Sequence, residues 1–317
     1  MHAFPSPAPR RLLVLRPGAL GDAILTLPAL SHLRARGVEH VVLIGNVGNW
    51  AFLSPMQGFL TLADIDARRW LPLFGNSASP TGRTRADLRA DAALLYLTQP
   101  EPTRTRLREW GVPCLGAITP PGRALAEAPH AADRLLPGGG PAYALELDDP
   151  LLALSGAERD AIAAGFPPGT QPRLLLHPGS GGRGKCWPVE RYAALAAWAT
   201  RHGLAPLALF GPAEADLLAP FRAALPATAD CPVGTGLSLR ELLALAASSA
   251  AYVGNDAGTT HLAALATATL ALFGPTGPAV WRPLGRRVVT LRAEDGDLRR
   301  LTVAQVAAAL DRLLSAG

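Results

Sequence analysis

One pattern occurs twice in the chain and constrains its fold more than any other feature. RLLVLRPGALGD begins at Arg11, and RLLLHPGSGGR begins at Arg173. Each contains an apolar run, a Pro-Gly turn and small residues, and a helical pattern follows. A buried strand, a glycine-bearing turn and a helix, in that order, are typical of the opening of a parallel α/β unit. The repeat therefore predicts two α/β domains in tandem.

Further patterns support this division. In the first half, apolar runs predict strands at 41–45 and 93–97, and a helical period covers 23–36. In the second half, strands are predicted at 206–210, 251–255, 269–274 and 288–292, with helices starting near residues 188, 213, 239 and 259 and an amphipathic helix at the end. A chain of 317 residues is long enough for two domains, because single cores rarely grow beyond about 250–300 residues.

Proline and glycine mark the boundary between the halves, since they are frequent from 120 to 172. We expect a first domain over residues 1–150, a linker at 151–172 and a second domain over 173–317. The last helix is expected to pack back on the first domain. Open parallel sheets bind ligands outside the carboxyl ends of their strands. A ligand cleft between two facing domains is therefore predicted.

Charge and cysteine content narrow the class of partner. The formal charge of +5 fits an anionic substrate or an acidic membrane surface, but no block of Lys and Arg favours nucleic acid. Cys114, Cys186 and Cys231 form no CxxC pair, which favours a reducing compartment and argues against a structural zinc site. The first residues lack the order of a secretory signal, and the apolar stretch 12–30 is interrupted too often to span a bilayer. We expect a soluble protein with at most peripheral membrane contact.

The first loop that suits chemistry is GALGDAILTLPAL, beginning at Gly18. Asp22 either caps the helix that follows, by accepting a backbone N–H, or projects into the site as a general base. In the second interpretation, Gly18 and Gly21 let a substrate approach closely. Both interpretations are open from the sequence.

The second loop is HPGSGGRGKCWP, beginning at His177. A glycine-rich turn ahead of a helix exposes N–H groups that suit phosphate oxygens, with Ser180 as a hydroxyl donor. Lys185 is the single lysine among thirty basic residues. A need for a compact ammonium charge at a pyrophosphate would explain why this position has lysine and not arginine. A solvated loop with a surface lysine is the simpler alternative.

The third loop, GNDAGTTHLAAL, begins at Gly254 and follows a predicted strand. Asp256 and His261 lie near a predicted helix start, and the hydroxyls of Thr259 and Thr260 suit an anion. A histidine in such a helix is equally expected as a buried structural residue. Two Asp-X-Asp sequences, at 64–66 and 295–297, are interpreted as turns and not as metal sites. No GxGxxG follows the first strand, which argues against a dinucleotide-dependent dehydrogenase.

Together these stretches resemble glycosyltransferase family 9, the ADP-heptose:lipopolysaccharide heptosyltransferases. LGDAILTLPAL, HPGSGG…KCWP and GNDAGTTHLAAL…LFGPTGP carry the resemblance and occur in the family's order. The resemblance implies a GT-B architecture of two Rossmann-like domains facing a cleft. The acceptor would bind to the first domain and the nucleotide sugar to the second. It also implies inversion at the anomeric carbon without a metal or other cofactor.

Residue roles follow from the same resemblance. By motif position, Asp22 matches the family's catalytic base, Lys185 its phosphate-binding lysine and Ser180 a hydroxyl donor. The positions that match its nucleotide and diphosphate element are Asp256, Gly258 and His261, and Glu214 resembles the acidic residue at the nucleoside. Ala257 departs from the family, where Ser or Thr is frequent, and Thr259 or Thr260 is expected to substitute.

The resemblance implies ADP-heptose as donor, a glycolipid or oligosaccharide acceptor of the lipopolysaccharide-core type, and a cytoplasmic location at the inner membrane. Two alternatives stay open. One keeps the fold but uses a UDP- or GDP-sugar, and the other is a catalytically silent protein that binds a nucleotide sugar.

Overall fold

Two parallel sheets organise the chain. The computed structural model describes residues 5, 7–54, 58–74, 88–118, 129–142 and 145–316. The described residues up to 142 form one compact unit, and residues 145–316 form a second.

The first unit contains a five-stranded sheet in which every described strand pair is parallel. Its strands are β1 (Arg11–Leu15), β2 (His40–Gly45), β3 (Leu60–Asp64), β4 (Ala92–Leu95) and β5 (Cys114–Ala117). Their spatial order is β3-β2-β1-β4-β5. The central strand β1 is buried on both faces, which explains why its sequence is a continuous apolar run and not an alternating one.

Short helices cover this sheet. They are α1 (Leu20–Leu25), α2 (Leu27–Ala35), α3 (Leu71–Phe74), α4 (Glu101–Glu109) and α5 (Ala131–Leu135), with 3₁₀ turns at Val47–Trp50 and Arg68–Trp70. The single helix predicted over 23–36 is divided in two at Thr26. The physical reason is Pro28, which has no N–H to donate to the carbonyl of Ile24 and so interrupts the helical ladder.

The second unit contains a six-stranded parallel sheet. Its strands are β6 (Arg173–His177), β7 (Ala205–Phe210), β8 (Val233–Thr235), β9 (Ala251–Asn255), β10 (Ala268–Phe273) and β11 (Val288–Arg292), and the order is β11-β10-β9-β6-β7-β8. The strands predicted in this half are confirmed to within one residue at each end.

Helices of the second unit are α6 (Gly156–Gly165), α7 (Val189–Arg201), α8 (Ala215–Ala224), α9 (Leu239–Ala247), α10 (Gly258–Ala264), α11 (Pro278–Trp281) and α12 (Val303–Ser315). Short 3₁₀ turns lie at Arg183–Lys185, Pro212–Glu214, Glu294–Gly296 and Leu298–Arg300. The core includes the aromatic residues Trp187, Tyr192 and Phe221 packed beside the apolar side chains of the central strands.

One expectation about organisation differs from the structure. The segment 151–172, expected as a linker, contains α6 and belongs to the second unit; Ser155 caps α6 and Ile162 is buried. The apolar residues Val306 and Leu310 of the last helix, α12, lie in the core of the second unit, and its packing on the first domain stays a prediction. The apolar face of this amphipathic helix is thus buried within the second unit. Within the described ranges, no helix has the length and apolar character needed to cross a membrane.

The strand order determines where a site can form. In both sheets the chain moves outward in one direction and then returns to the other side of its first strand, so β1 lies beside β4 and β6 lies beside β9. In open α/β sheets, ligands bind at the carboxyl ends of the strands where the order reverses. The loops after these four strands are therefore the candidates for function.

Candidate functional site

Asp22 lies on α1, in the loop–helix segment that follows β1. It is the third residue of the helix, and Ala19 is the N-cap. The Asp22 carboxylate accepts the backbone N–H of Ala19 through Oδ2 at 3.0 Å. The predicted interaction with the helix start is thus present, although the capping position itself belongs to Ala19. The Asp22 side chain is 31% exposed and so accessible to a substrate.

The two glycines of this loop differ in role. Gly18 has a φ of +132°, and a Cβ there would lie 2.8 Å from Asp22 Oδ2. Any larger residue would therefore disturb both the backbone and the carboxylate. Asn49 donates to the Gly18 carbonyl at 2.8 Å and holds the turn from the other side. Gly21 lies inside α1 and is half-buried.

Arg16 is a residue of this site that was not predicted from the sequence. It follows β1 directly, its side chain is only 3% exposed, and Nη2 contacts Asp22 Oδ1 at 3.2 Å. Burial lowers the pKa of Arg16, and the neighbouring Asp22 and Tyr96 oppose that effect. The available signal in the sequence was an arginine directly after the apolar run 12–15.

In the second unit, the glycine-rich loop after β6 leads into the 3₁₀ turn that contains Lys185. Lys185 Nζ lies 2.6 Å from Asp256 Oδ2, in the loop after β9. The lysine side chain is 24% exposed and the aspartate side chain 9%. The two motifs predicted for the donor are therefore brought together, and the lysine is held by a carboxylate.

Asp256 has several further polar neighbours. The hydroxyl of Thr276 donates to Oδ2 at 2.6 Å, and Ser180 Oγ donates to the Asp256 carbonyl at 2.9 Å. His261 Nε2 lies 4.0 Å from Oδ1. No role for Thr276 was predicted from the sequence, although the residue lies in GPTGP, part of the motif that resembles the family.

The start of α10 arranges the small residues of the third loop. Ala257 is the N-cap and Gly258 the first helical residue. Thr260 is fully buried and its hydroxyl donates to the Asn255 carbonyl at 2.6 Å. Thr259 Oγ1 lies 3.4 Å from His177 Nδ1. Thr259 and Thr260 were the two residues expected to supply the hydroxyl that Ala257 lacks. The hydroxyl of Thr260 is bound to the backbone, and Thr259 is the more accessible of the two.

Asn255 joins the second and third loops. Its amide nitrogen donates to the carbonyls of Pro178 and Gly179 at 2.7 and 3.1 Å. Its Oδ1 accepts from Trp187 N at 2.9 Å and from the Tyr192 hydroxyl at 3.1 Å. Because Asn255 is fully buried, satisfying all these groups makes the relative position of the loops specific.

Glu214 lies after β7 and is buried, with 8% of its surface exposed. Its Oε2 accepts the Gly211 N–H at 3.0 Å. A Cβ at Gly179 would lie 2.2 Å from Glu214, so the glycine-rich loop passes directly over this side chain. Burial lowers the pKa of His177, and the nearby Glu214 carboxylate opposes that shift.

A cavity of about 680 Å³ opens beside Glu214 at this edge of the sheet. Its lining includes Ser180, Cys186, Pro188, Glu214 and Leu217. Apolar and polar groups together line it, and its volume is typical of a pocket for a small organic ligand.

Both Asp-X-Asp sequences are confirmed as turns. Asp64 Oδ1 accepts the N–H of Asp66 at 3.1 Å, and Asp297 binds the backbone and the guanidinium of Arg299. Among the residues that the structure describes, no group of three or more His, Cys, Asp and Glu side chains is placed to hold a metal ion.

Comparisons with known proteins identify relatives of this chain. Lipooligosaccharide heptosyltransferase 2 of Haemophilus influenzae is 36% identical over 136 residues, which are 41% of this chain and 39% of that protein. The match thus spans about two fifths of the curated relative's length.

Solved structures match over nearly the whole chain. E. coli ADP-heptose LPS heptosyltransferase II has a TM-score of 0.75 at 22% identity and covers 96% of this chain and 99% of its own. E. coli heptosyltransferase WaaC with ADP has a TM-score of 0.67 at 17% identity, covering 96% and 99%. These superpositions confirm the expected GT-B fold with its two Rossmann-like sheets.

A family model supplies the evidence for membership. The model of glycosyltransferase family 9 (heptosyltransferase) matches residues 141–307, which is more than half of the chain and includes the loops of Lys185, Glu214 and Asp256. This chain therefore belongs to glycosyltransferase family 9, the heptosyltransferase family.

Proposed function

We propose that this protein transfers a heptose, or a similar sugar, from an ADP-sugar to an acceptor of the lipopolysaccharide-core type. The observation that carries the proposal is the contact between Lys185 and Asp256, the two most specific residues of the family's donor motifs. They meet at the carboxyl ends of β6 and β9, where this fold binds ligands.

Lys185 is the residue proposed to bind the donor diphosphate. Breaking the bond between the sugar C1 and the diphosphate leaves negative charge on the leaving group. A positioned ammonium stabilises that charge in the transition state more than in the ground state. The N–H groups of the glycine-rich loop would add neutral donors, and the Ser180 hydroxyl would add another by turning from the Asp256 carbonyl to the diphosphate. This arrangement supports the expectation that transfer needs no metal.

Glu214 and its neighbouring cavity are proposed to hold the nucleoside. A carboxylate accepts two hydroxyl donors, so Glu214 suits the adjacent hydroxyls of a ribose. Asp256, Gly258, Thr259 and His261 would surround the sugar and the diphosphate, while Thr260 supports the backbone. ADP is proposed because WaaC, a structure of the same fold, was solved with ADP.

Asp22 is the proposed general base of the first unit. It would take the proton of the acceptor hydroxyl while the acceptor oxygen forms its bond to the sugar C1. The bond from C1 to the diphosphate breaks in the same step, and its electron pair leaves with the diphosphate. One displacement of this kind inverts the anomeric carbon. Because nucleotide sugars are cytoplasmic metabolites, we propose that the protein acts at the cytoplasmic face of the inner membrane.

Donor binding tests the proposal first. Calorimetry with ADP, UDP and GDP should show a preference for ADP, and Lys185→Ala should weaken ADP binding about tenfold or more, as expected for a charge-assisted contact. Arg201→Ala is the matched control, because it removes one positive charge from the exposed far end of α7. Preference for UDP or GDP would support the alternative donor. Absence of binding by all three nucleotides would support a different function for this fold.

Transfer is tested with ADP-heptose and a core oligosaccharide by following ADP release. Asp22→Asn should abolish transfer and leave ADP affinity unchanged. Asp91→Asn is the matched control, since Asp91 is an exposed carboxylate that binds the N–H of Arg11 at the other end of the sheet. Activity should persist in EDTA, and proton NMR of the product should show inversion. Wild-type turnover by Asp22→Asn would refute the assignment of the base.

A further inference from the structure

Arg16 is a permanent cation buried beneath the loop that carries Asp22. Its side chain is 3% exposed, whereas arginine is normally a surface residue. A guanidinium does not lose its proton near neutral pH even when its pKa is lowered by burial. A buried charge of this kind is stabilised only by specific partners, so the identity of those partners shows what the residue does.

The partners of Arg16 hold the guanidinium on several sides. Nε donates to Thr26 Oγ1 at 2.8 Å, and Nη2 donates to the Asp22 carbonyl at 3.2 Å. The guanidinium carbon lies 5.9 Å from the ring centre of Tyr96, whose hydroxyl is itself bound to the Leu135 carbonyl at 2.9 Å. The Arg16 side chain is therefore fixed in place by α1, by Thr26 and by Tyr96 after β4, and Tyr96 is itself held by α5.

Asp22 accepts hydrogen bonds at both carboxylate oxygens, and one of them comes from Arg16. Oδ1 accepts from Arg16 Nη2 at 3.2 Å, and Oδ2 accepts the Ala19 N–H at 3.0 Å. With one donor on each oxygen, the carboxylate cannot rotate freely. Each oxygen keeps an unused lone pair on a side chain that is 31% exposed.

We propose that Arg16 is a positioning residue for Asp22: it orients the carboxylate toward the acceptor hydroxyl. The inference rests on the proposed function, in which Asp22 takes the acceptor proton.

Arg16→Met and Arg16→Lys test this role in the full-length protein. The methionine keeps the apolar volume and removes the charge. We expect kcat to fall about 100-fold, the order produced by misplacing a catalytic group, while the acceptor KM changes less than about threefold. The lysine restores a cation without the planar fork and should recover about tenfold of that loss. ADP affinity, a property of the second unit, should equal that of the wild type in both variants.

Asp22→Asn is measured in parallel, so that a failure of the role proposed for Arg16 can be distinguished from a failure of the role proposed for Asp22. Absence of transfer by the wild-type protein would refute the proposed function, whereas wild-type turnover by Asp22→Asn would refute the assignment of the base, on which the role of Arg16 rests. An inactive Asp22→Asn together with a fully active Arg16→Met would overturn only the role of Arg16. A rise in KM with unchanged kcat, or no rescue by lysine, would also overturn it in favour of a structural role. If Arg16→Met does not fold, Arg16→Lys carries the test, and wild-type kcat in that variant would overturn the inference.

Discussion

Lys185 Nζ lies 2.6 Å from Asp256 Oδ2, and that same oxygen accepts the hydroxyl of Thr276 at 2.6 Å. The lysine expected at the donor diphosphate is therefore neutralised by a carboxylate that is itself oriented by a second donor. If the proposed site is correct, a diphosphate would compete with Asp256 for the ammonium and would be repelled by the aspartate as well.

The first prediction follows from that competition. Asp256→Asn keeps an oxygen for Lys185 and Thr276 but removes the negative charge. Two unit charges about 4 Å apart interact by about 1 kcal/mol even in water, so ADP should bind the variant about fivefold more tightly. Calorimetry with ADP measures this, and Lys185→Ala in the same background should reverse it. Weaker ADP binding by Asp256→Asn would mean that the aspartate's charge is needed to place the lysine.

Gly179 gives a second prediction, because its loop lies directly against Glu214. The added methyl group of Gly179→Ala would lie 2.2 Å from a buried carboxylate side chain. We expect a loss of about 1–3 kcal/mol in the free energy of unfolding, as for other overpacked sites, together with weaker ADP binding. Gly181→Ala is the matched control, since a Cβ there has no atom within 4 Å. Equal stability of the two variants in urea would contradict the close approach.

Cysteine reactivity provides a third prediction about the cavity. Burial raises the pKa of Cys186 and raises that of Cys231 to about 12. Only the thiolate reacts, so alkylation at pH 8 should modify Cys186 slowly and Cys231 hardly at all. Because Cys186 lines the cavity beside Glu214, saturating ADP should slow its alkylation further. Cys114, in the first unit, is the internal control, and equal slowing of both by ADP would argue against nucleotide binding in this cavity.

The pair formed by Glu158 and Arg240 gives a pH-dependent prediction. Hydrogen bonds from Arg240 at 2.6 and 2.7 Å lower the pKa of Glu158 to about 2. When folding lowers the pKa of a carboxyl group, the ionised group stabilises the folded state at pH values above its ordinary pKa. This stabilisation is lost as the pH falls toward the lowered pKa of about 2.

Glu158→Gln should therefore cost about 1 kcal/mol at pH 7, a modest amount because the side chain is one-third exposed. Urea unfolding of both proteins should show the difference shrinking from about pH 4.5 to about pH 2. Asp311→Asn, an exposed change on α12, should show no comparable difference. A difference that stays constant with pH would contradict the charge pairing.

Much of the architecture was predictable from local patterns. Runs such as LLVL before Arg16 and LLL within β6 are continuously apolar, and only strands buried on both faces accommodate them in a parallel sheet. The Pro-Gly turns that follow mark where each strand ends. The motif residues Asp22, Lys185 and Asp256 were recognised for the same reason, since each stands in a short segment of distinctive sequence.

Pairings between segments were not predictable in this way. Lys185 and Asp256 are 71 residues apart, and they meet because β9 lies beside β6 in the sheet. Thr276 reaches the same carboxylate because β10 lies beside β9. Neither neighbour relation can be read from a local pattern, since hydrophobic periodicity identifies a strand without identifying its partner.

Arg16, α6 and α12 illustrate the same difference between local structure, which the sequence predicts, and tertiary contacts, which it does not. The strand before Arg16 was evident in the sequence, but its guanidinium was identified as a partner of Asp22 only once α1 was packed over the end of β1. The helical pattern of α12 was equally evident, whereas its burial in the second unit, like that of α6, depends on which apolar surface is available to cover. Local sequence specifies which elements form, because propensity and periodicity act over a few residues. Tertiary packing decides which side chains meet, because burial and charge pairing depend on segments distant in the chain.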